Sequence, residues 1–294
     1  MAPLAPGVFR VRPLPCEATA SYLERLARTY RLALPQFLDG IDITEHGHGS
    51  LPINDLRLTP GAARRVAAVA RIPLDHLLQA LPYLTHHPSP HNPRRAEDEP
   101  GASWTALDAE QQPVRACTLC ARHQSHGQAG AAWGYRHWHH LVCVRHQQAA
   151  PDPRLHAPVR TGAVPELTVA HHAHQRLLRH PRGRNTWMAA RAITTRWYDH
   201  RQHLTGRWEH RLNRLTAASP HLTHTGNASP VLLARDLVTY PETVTPARTL
   251  ATLPRPRPRT TRGVHAVITD RLGLDTLTPT TSDPLTAYLT HTHP

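Results

Sequence analysis

The 294-residue sequence contains no lysine, so all 34 positions counted as Lys+Arg are arginine. A phosphate-binding loop of the Gly-x-x-x-x-Gly-Lys-Ser/Thr form is therefore absent, and the chain is not itself a P-loop ATPase. Aromatic residues make up only 5%, with two Phe, so any single core is modest and the length suits two or three small domains. No run of about 18 apolar residues occurs, which excludes a hydrophobic membrane-crossing helix. The opening "MAPLAPGVFRVRPLP" has no apolar core of the kind that export signals carry. A cytoplasmic or nucleoid-associated location is expected. Cysteine is scarce, with four residues. In a reducing compartment, cysteines paired at ligand spacing indicate metal rather than disulfides.

Positive charge is abundant. The 34 basic residues against 21 acidic ones leave a net charge of +13. Such a surplus suits a polyanion, most commonly nucleic acid. A GC-rich genome also explains the choice of Arg over Lys, but it does not explain the surplus.

Three of the four cysteines fall in "CTLCARHQSHGQAGAAWGYRHWHHLVCVRH", from Cys117 to His146. Cys117-x-x-Cys120 and Cys143-x-x-His146 form two ligand pairs. Zn2+ favours four tetrahedral Cys and His ligands, and a set closed by four protein groups is structural, with no open position for catalysis. One zinc ribbon-like site is expected, its ion covered by a small hairpin from the residues between the pairs. Such sites supply ~10–16 kcal/mol of binding free energy in zinc-finger peptides. His123, His126, His137, His139 and His140 compete for the ligand role but are common residues in a chain with 25 histidines. Cys16 stands in a Pro-flanked loop with no activating partner evident. No acidic residue lies between 111 and 151, so a metal nuclease built on "HWHH" lacks the carboxylates and open coordination that its chemistry needs.

Elsewhere the periodicity is mainly helical. Leu26-Ala27, Arg31-Leu32-Ala33 and Gln36-Phe37-Leu38 recur forty residues later as Val66-Ala67, Arg71-Ile72-Pro73 and His76-Leu77-Leu78. Each copy fits a helix, a tight turn and a second helix, either a DNA-reading helix-turn-helix or a helical hairpin that only packs. The turn position that usually carries Gly is Arg31 or Arg71, so arginine must accept a left-handed conformation or find another geometry. Residues 165–204 and 229–253 read as further helical pairs. The best strand signals are "FRVRPLP" and "WGYRHWHHLVC". Breaks at 86–101, 151–158 and 253–263 divide the chain. The expected parts are a helical module at 8–90, a linker and zinc module at 91–155, a helical domain at 156–253, and a Pro/Arg-rich linker with weakly ordered helices at 254–294. The fold class is mainly α.

With these motifs placed, the chain resembles the TniQ family, which includes target-site selector proteins of transposons. "LPCEATASYLERLARTYRLALPQFL" (14–38) matches that family's opening, with Glu17, Ser21, Tyr22, Arg25 and Ala27 on the corresponding positions. Its finger, Cys-Pro-x-Cys followed by a Trp-rich stretch and Cys-Pro-x-His, is matched by the four ligands, Trp133 and Trp138, with Thr118 and Val144 replacing the prolines. Residues 58–84 resemble the stretch between. The resemblance covers residues 8–155. It implies a non-catalytic targeting protein that contacts DNA and a transposition ATPase, transposase or other targeting proteins, or else an adaptor or domesticated regulator with little DNA contact. Candidate DNA contacts are Arg64, Arg65, Arg71, Arg176, Arg179, Arg182 and Arg184, with Arg25, Arg28 and Arg31 near the first hairpin. Candidate partner contacts are Glu17, Ser21, Tyr22 and Arg25. A cut near residue 155 is expected to separate partner binding from DNA binding, and loss of zinc is expected to leave the N-terminal helices folded.

Overall fold

A computed structural model describes residues 7–85, 100–125, 127, 131–223, 228–252, 261–274 and 283–292. The chain is mainly α and divides into two units, Met1–Arg136 and His137–Pro294. Most of the breaks read at 86–101 and 253–263 lie outside the described residues.

In the first unit, α1 (Thr19–Thr29) and α2 (Leu34–Gly40) form one hairpin, and α3 (Pro60–Ala70) and α4 (Leu74–Ala80) form the other. The two turns are built alike. Arg31 and Arg71 both adopt left-handed backbone, with φ of 60° and 54°. Leu32 N–H reaches the Ala27 carbonyl at 3.0 Å while Arg31 N–H reaches Arg28 at 2.9 Å. The second copy repeats the pair, Ile72 to Ala67 at 3.0 Å and Arg71 to Ala68 at 3.2 Å. These are Schellman closures, which satisfy carbonyls at a helix end. They offset the ~1–2 kcal/mol that a left-handed L-residue costs, and both arginine side chains stay exposed. Pro73 is the N-cap residue of α4.

Between the hairpins runs a sheet that the helical periodicity did not reveal. Strands β1 (Thr44–His46) and β2 (Asn54–Leu58) flank β3 (Gly101–Ala106), parallel to β1 and antiparallel to β2. The expected boundary at residue 90 therefore cuts through one folded unit. Leu56, Leu58 and Ala102 join Leu23, Leu26, Phe37, Leu38, Val66 and Leu77 in one core. "FRVRPLP" forms no strand; Pro13 and Pro15 deprive it of ladder donors. The unit closes with β4 (Val114–Arg115), α5 (Thr118–Gln124) and β5 (Trp133–Gly134), in which β4 and β5 pair antiparallel.

The second unit begins with three short antiparallel strands, β6 (Val142–Cys143), β7 (Gln148–Ala149) and β8 (Val159–Arg160), in that order. Helices α6 (Glu166–Leu177), α7 (Gly183–Asp199), α8 (Thr205–Ala218), α9 (Pro230–Leu233), α10 (Arg235–Val238), α11 (Tyr240–Thr252), α12 (Thr261–Leu272) and α13 (Pro284–Thr292) complete it. Helix α11 packs on α6, α7 and α12. Helix α8 lies between the two helical pairs that the periodicity indicates, and Trp208, Arg211 and Leu215 mark its buried stripe. Inside it, Arg211 makes a two-pronged pair with Glu242 at 2.8 and 3.0 Å, both residues 5% exposed.

Two boundaries fail here for the same reason. Leu141, Val142, Ala149 and Leu155 share a core with Trp197 and Tyr240, so a cut at 155 removes part of that core. Val264, Ile268, Leu272, Leu285 and Leu289 belong to the same cluster. The last helices are thus packed rather than weakly ordered. Asp283 fixes the final one: it accepts from Leu285 N–H (2.9 Å), Trp197 Nε1–H (3.0 Å) and His203 Nε2 (3.1 Å).

Candidate metal centre

Cys117 caps the N-terminus of α5, and Cys120 sits in that helix's first turn. Cys143 ends β6, and His146 lies in the turn leading to β7. Their four ligand atoms all lie within 4.8 Å of one another. Cys143 Sγ stands 3.7 Å from His146 Nδ1. A sulfur and a nitrogen on one tetrahedral zinc are about 3.6 Å apart, given bonds of about 2.3 and 2.0 Å. The donor set and the spacing therefore fit one zinc. The local backbone differs from a symmetric ribbon, since a helix carries the first pair and a hairpin turn the second. Among the described residues the strands between the pairs find other partners than the expected hairpin would give them: β5 pairs with β4 and β6 with β7.

The residues after the first pair are stitched to α1. Ala18 N–H donates to the Trp133 carbonyl at 2.9 Å, and Tyr135 N–H to the Cys16 carbonyl at 2.7 Å. Trp133 N–H donates to Ser21 Oγ at 2.9 Å. Arg115 lies over the Trp133 ring at 4.0 Å. Asp55, fully buried on β2, does what no residue of α1 does for itself. The N-cap Ala18 has no side-chain acceptor, and the Asp55 carboxylate takes Thr19 N–H at 3.1 Å and Ala20 N–H at 2.8 Å. It also accepts from the Tyr135 hydroxyl. Burial, then the adjacent Asp55 carboxylate, push the Tyr135 phenol far above its usual range. Sequence reasoning missed Asp55; the only signal was a helix start without a capping residue of its own.

The four expected partner contacts are not at the surface. Glu17, Ser21, Tyr22 and Arg25 are all buried. Arg25 grips both Glu17 oxygens at 2.8 and 2.7 Å, Ser21 Oγ donates to Glu17 at 3.2 Å, and Tyr22 donates to the Val11 carbonyl at 2.9 Å. They hold the N-terminal segment on α1, which corrects their reading as docking residues. Arg25 is equally removed from phosphate contact.

The arginines divide. Arg28, Arg31, Arg64, Arg71, Arg176, Arg179 and Arg184 are exposed. Arg65 is engaged by Asp42 at 2.8 Å and the Ile41 carbonyl at 2.9 Å. Arg182 donates to the Ala251 carbonyl at 2.6 Å. These two have structural work. Neither second helix of the hairpins, α2 or α4, contains an arginine, and each exposes an aspartate, Asp39 or Asp75. His126 lies outside the described residues. His123 is exposed, and burial pushes the Cys16 thiol up, away from nucleophile chemistry.

The TniQ family model matches residues 8–149. This stretch of the chain is of the TniQ family. The matched TniQ region contains both helical hairpins, the three-stranded sheet and all four residues of the Cys3His cluster. No curated protein and no solved structure matches the chain.

Proposed function

We propose that the chain is a non-catalytic, zinc-containing targeting protein of TniQ type, which binds DNA and recruits a transposition ATPase or transposase to it. The observation that carries this reading is the Cys3His cluster lying within the TniQ region. Cys117, Cys120, Cys143 and His146 would hold one structural zinc. With four protein ligands the ion keeps no open position, so it supports the fold rather than a reaction. The +13 charge supplies affinity for DNA without sequence choice, roughly 10⁻⁴–10⁻⁶ M at physiological salt. Choosing a site then needs base contacts or a partner that already marks it.

The work divides between the units. In the first, α2 and α4 offer aspartate and no arginine to a phosphate backbone, which favours protein docking for the hairpins. In the second, Arg176, Arg179 and Arg184 are the exposed cations offered to DNA. Among the described residues no helix is long and apolar enough to cross a membrane, in keeping with a cytoplasmic or nucleoid-associated protein. DNA titration across a salt series, with capture of a transposition ATPase, tests the proposal. Binding that is absent at low salt or indifferent to salt would sink the DNA half. Capture of the ATPase without DNA binding would favour the second reading, a protein adaptor, to which the arginine-free second helices also point.

A further inference from the structure

We propose that the turn His137–His140, together with His171 on α6, binds a second divalent transition-metal ion of the Zn2+, Ni2+ or Cu2+ class. The turn is closed by His140 N–H on the His137 carbonyl at 2.9 Å. It gathers three imidazoles: ring centroids are 4.9 Å apart for His139 and His140, and 5.3 Å for His137 and His139. An imidazole centroid sits about 3.2 Å from the ion it ligates, so two rings on one tetrahedral ion lie about 5 Å apart. The edge-to-face pair His139–His140 meets that spacing as it stands, whereas the His137 and His139 rings lie stacked, 7° from parallel, so His137 must turn before both rings can face one ion. His140 to His171 is 6.0 Å and His137 to His140 is 6.4 Å. Among the described residues only the Cys3His set has its ligand atoms already converged. Closing the histidine set needs rotation of His137 and His140, both exposed residues, and release of one His171 nitrogen, since its Nδ1 faces the Tyr240 hydroxyl at 3.4 Å and its Nε2 faces Gln175 Nε2 at 3.4 Å.

The chemistry of the cluster suits such an ion. The ionisable neighbours that act on His139, His140 and His171 are all histidines. A nitrogen-only set selects transition metals over Mg2+ and Ca2+, which take oxygen. Burial first, and mutual repulsion second, lower the pKa of His139 and of His140, which keeps their lone pairs available at neutral pH. His139 Nδ1 is buried without a hydrogen-bond partner. The turn is also held from behind. Gln175 on α6 donates to the His139 carbonyl at 2.8 Å, and Trp138 packs 5.2 Å from the His174 ring. Gln175 is thus a positioning residue for the turn.

The test uses the full-length, zinc-loaded protein and Ni2+ as probe, with both metals counted after desalting at neutral pH. The expected result is one nickel retained beyond the Cys3His zinc. It is lost in the double variant His137→Gln/His140→Gln with zinc content unchanged, and it is kept in His46→Gln/His48→Gln, an exposed histidine pair elsewhere. Gln175→Leu should weaken nickel binding by about 10–100-fold, as loss of an orienting partner does at other sites. No retained nickel, nickel that only replaces zinc, retention in the double variant, or loss in the control pair would each overturn the proposal.

Discussion

The Tyr135 hydroxyl donates to the Asp55 carboxylate at 2.6 Å. One carboxylate on β2 thereby serves both the N-terminus of α1 and the strand segment beyond the first cysteine pair. Removing the phenol leaves Asp55 its backbone donors. Removing Asp55 leaves the helix start and a buried phenol without their acceptor. Tyr135→Phe should therefore lower stability by about 1–3 kcal/mol, and Asp55→Ala by more. Urea denaturation of both variants reads the order. Equal losses, or an Asp55→Ala protein as stable as the parent, would remove the shared-cap account.

The purified chain should carry about one zinc, the count for a single four-ligand set. Cys117→Ser and Cys143→Ser should each lose it. The stitching of residues 133–135 to α1 carries that loss further into the fold. Because Trp133 and Tyr135 bond the backbone at 16–18 and Ser21, loosening the finger exposes the start of α1 as well. Hydrogen exchange should rise at residues 18–22 together with residues 114–135, rather than in the finger alone. Full zinc retention in both variants would show that the ligands are others.

Some of this was legible in sequence and some was not, for identifiable reasons. The ligand pairs could be read because Cys-x-x-Cys and Cys-x-x-His are short and local. The forty-residue repeat could be read because each hairpin's apolar spacing is also local, and both arginine turns proved left-handed. The sheet was hidden because β3 reaches β1 and β2 across more than forty residues, and "GASWTA" alone has no strand-length alternation. In sequence Glu17, Ser21 and Arg25 suggest partner contacts, because polar side chains usually lie at the surface. Their burial depends on mutual pairing, which appears only once α1 places them together. The same holds for Arg211 with Glu242, thirty-one residues apart.

Arg25 therefore gives a discriminating variant. Breaking a buried pair by removing one partner costs about 3–5 kcal/mol, because the other charge stays buried. Arg25→Ala should unfold the first unit at much lower denaturant than the parent. A stable Arg25→Ala protein that has lost only a partner would restore the docking role.

His171 and His174 make the second unit sensitive to acid. Both face the Tyr240 hydroxyl, at 3.4 and 3.0 Å, and His174 stacks on Trp187 at 3.7 Å. Burial, followed by neighbouring histidines, lowers His171 from 6.5 to about 4 and His174 from 6.5 to about 3. Both are neutral in the folded protein, and their unfolded forms take up protons first as pH falls. The stability they permit is complete above pH 6.5. It declines below that value by about 1.4 kcal/mol per pH unit for each histidine until its folded pKa is reached. Denaturation midpoints between pH 7.5 and 5 should fall, and His174→Gln should flatten the decline. An unchanged slope in that variant would place the acid sensitivity elsewhere, for example in metal release.

The DNA proposal can be tested residue by residue through salt. Each phosphate contact releases counterions, so its loss reduces the slope of log K against log salt by about 0.9 on duplex DNA. Arg176, Arg179 and Arg184 are exposed on or beside α6 and α7. Alanine at each should lower the slope by one such step without altering stability. Arg182 behaves differently, since it already serves the Ala251 carbonyl. Arg182→Ala should lower stability and leave the slope nearly unchanged in the fraction that stays folded. Arg65, engaged by Asp42, should do the same in the first unit. If Arg64 and Arg71 carried the steps instead of the α6–α7 set, DNA would lie along the hairpins. The division of labour between the units would then be reversed, and the Asp39 and Asp75 faces would need a cation or a partner between them and the phosphates.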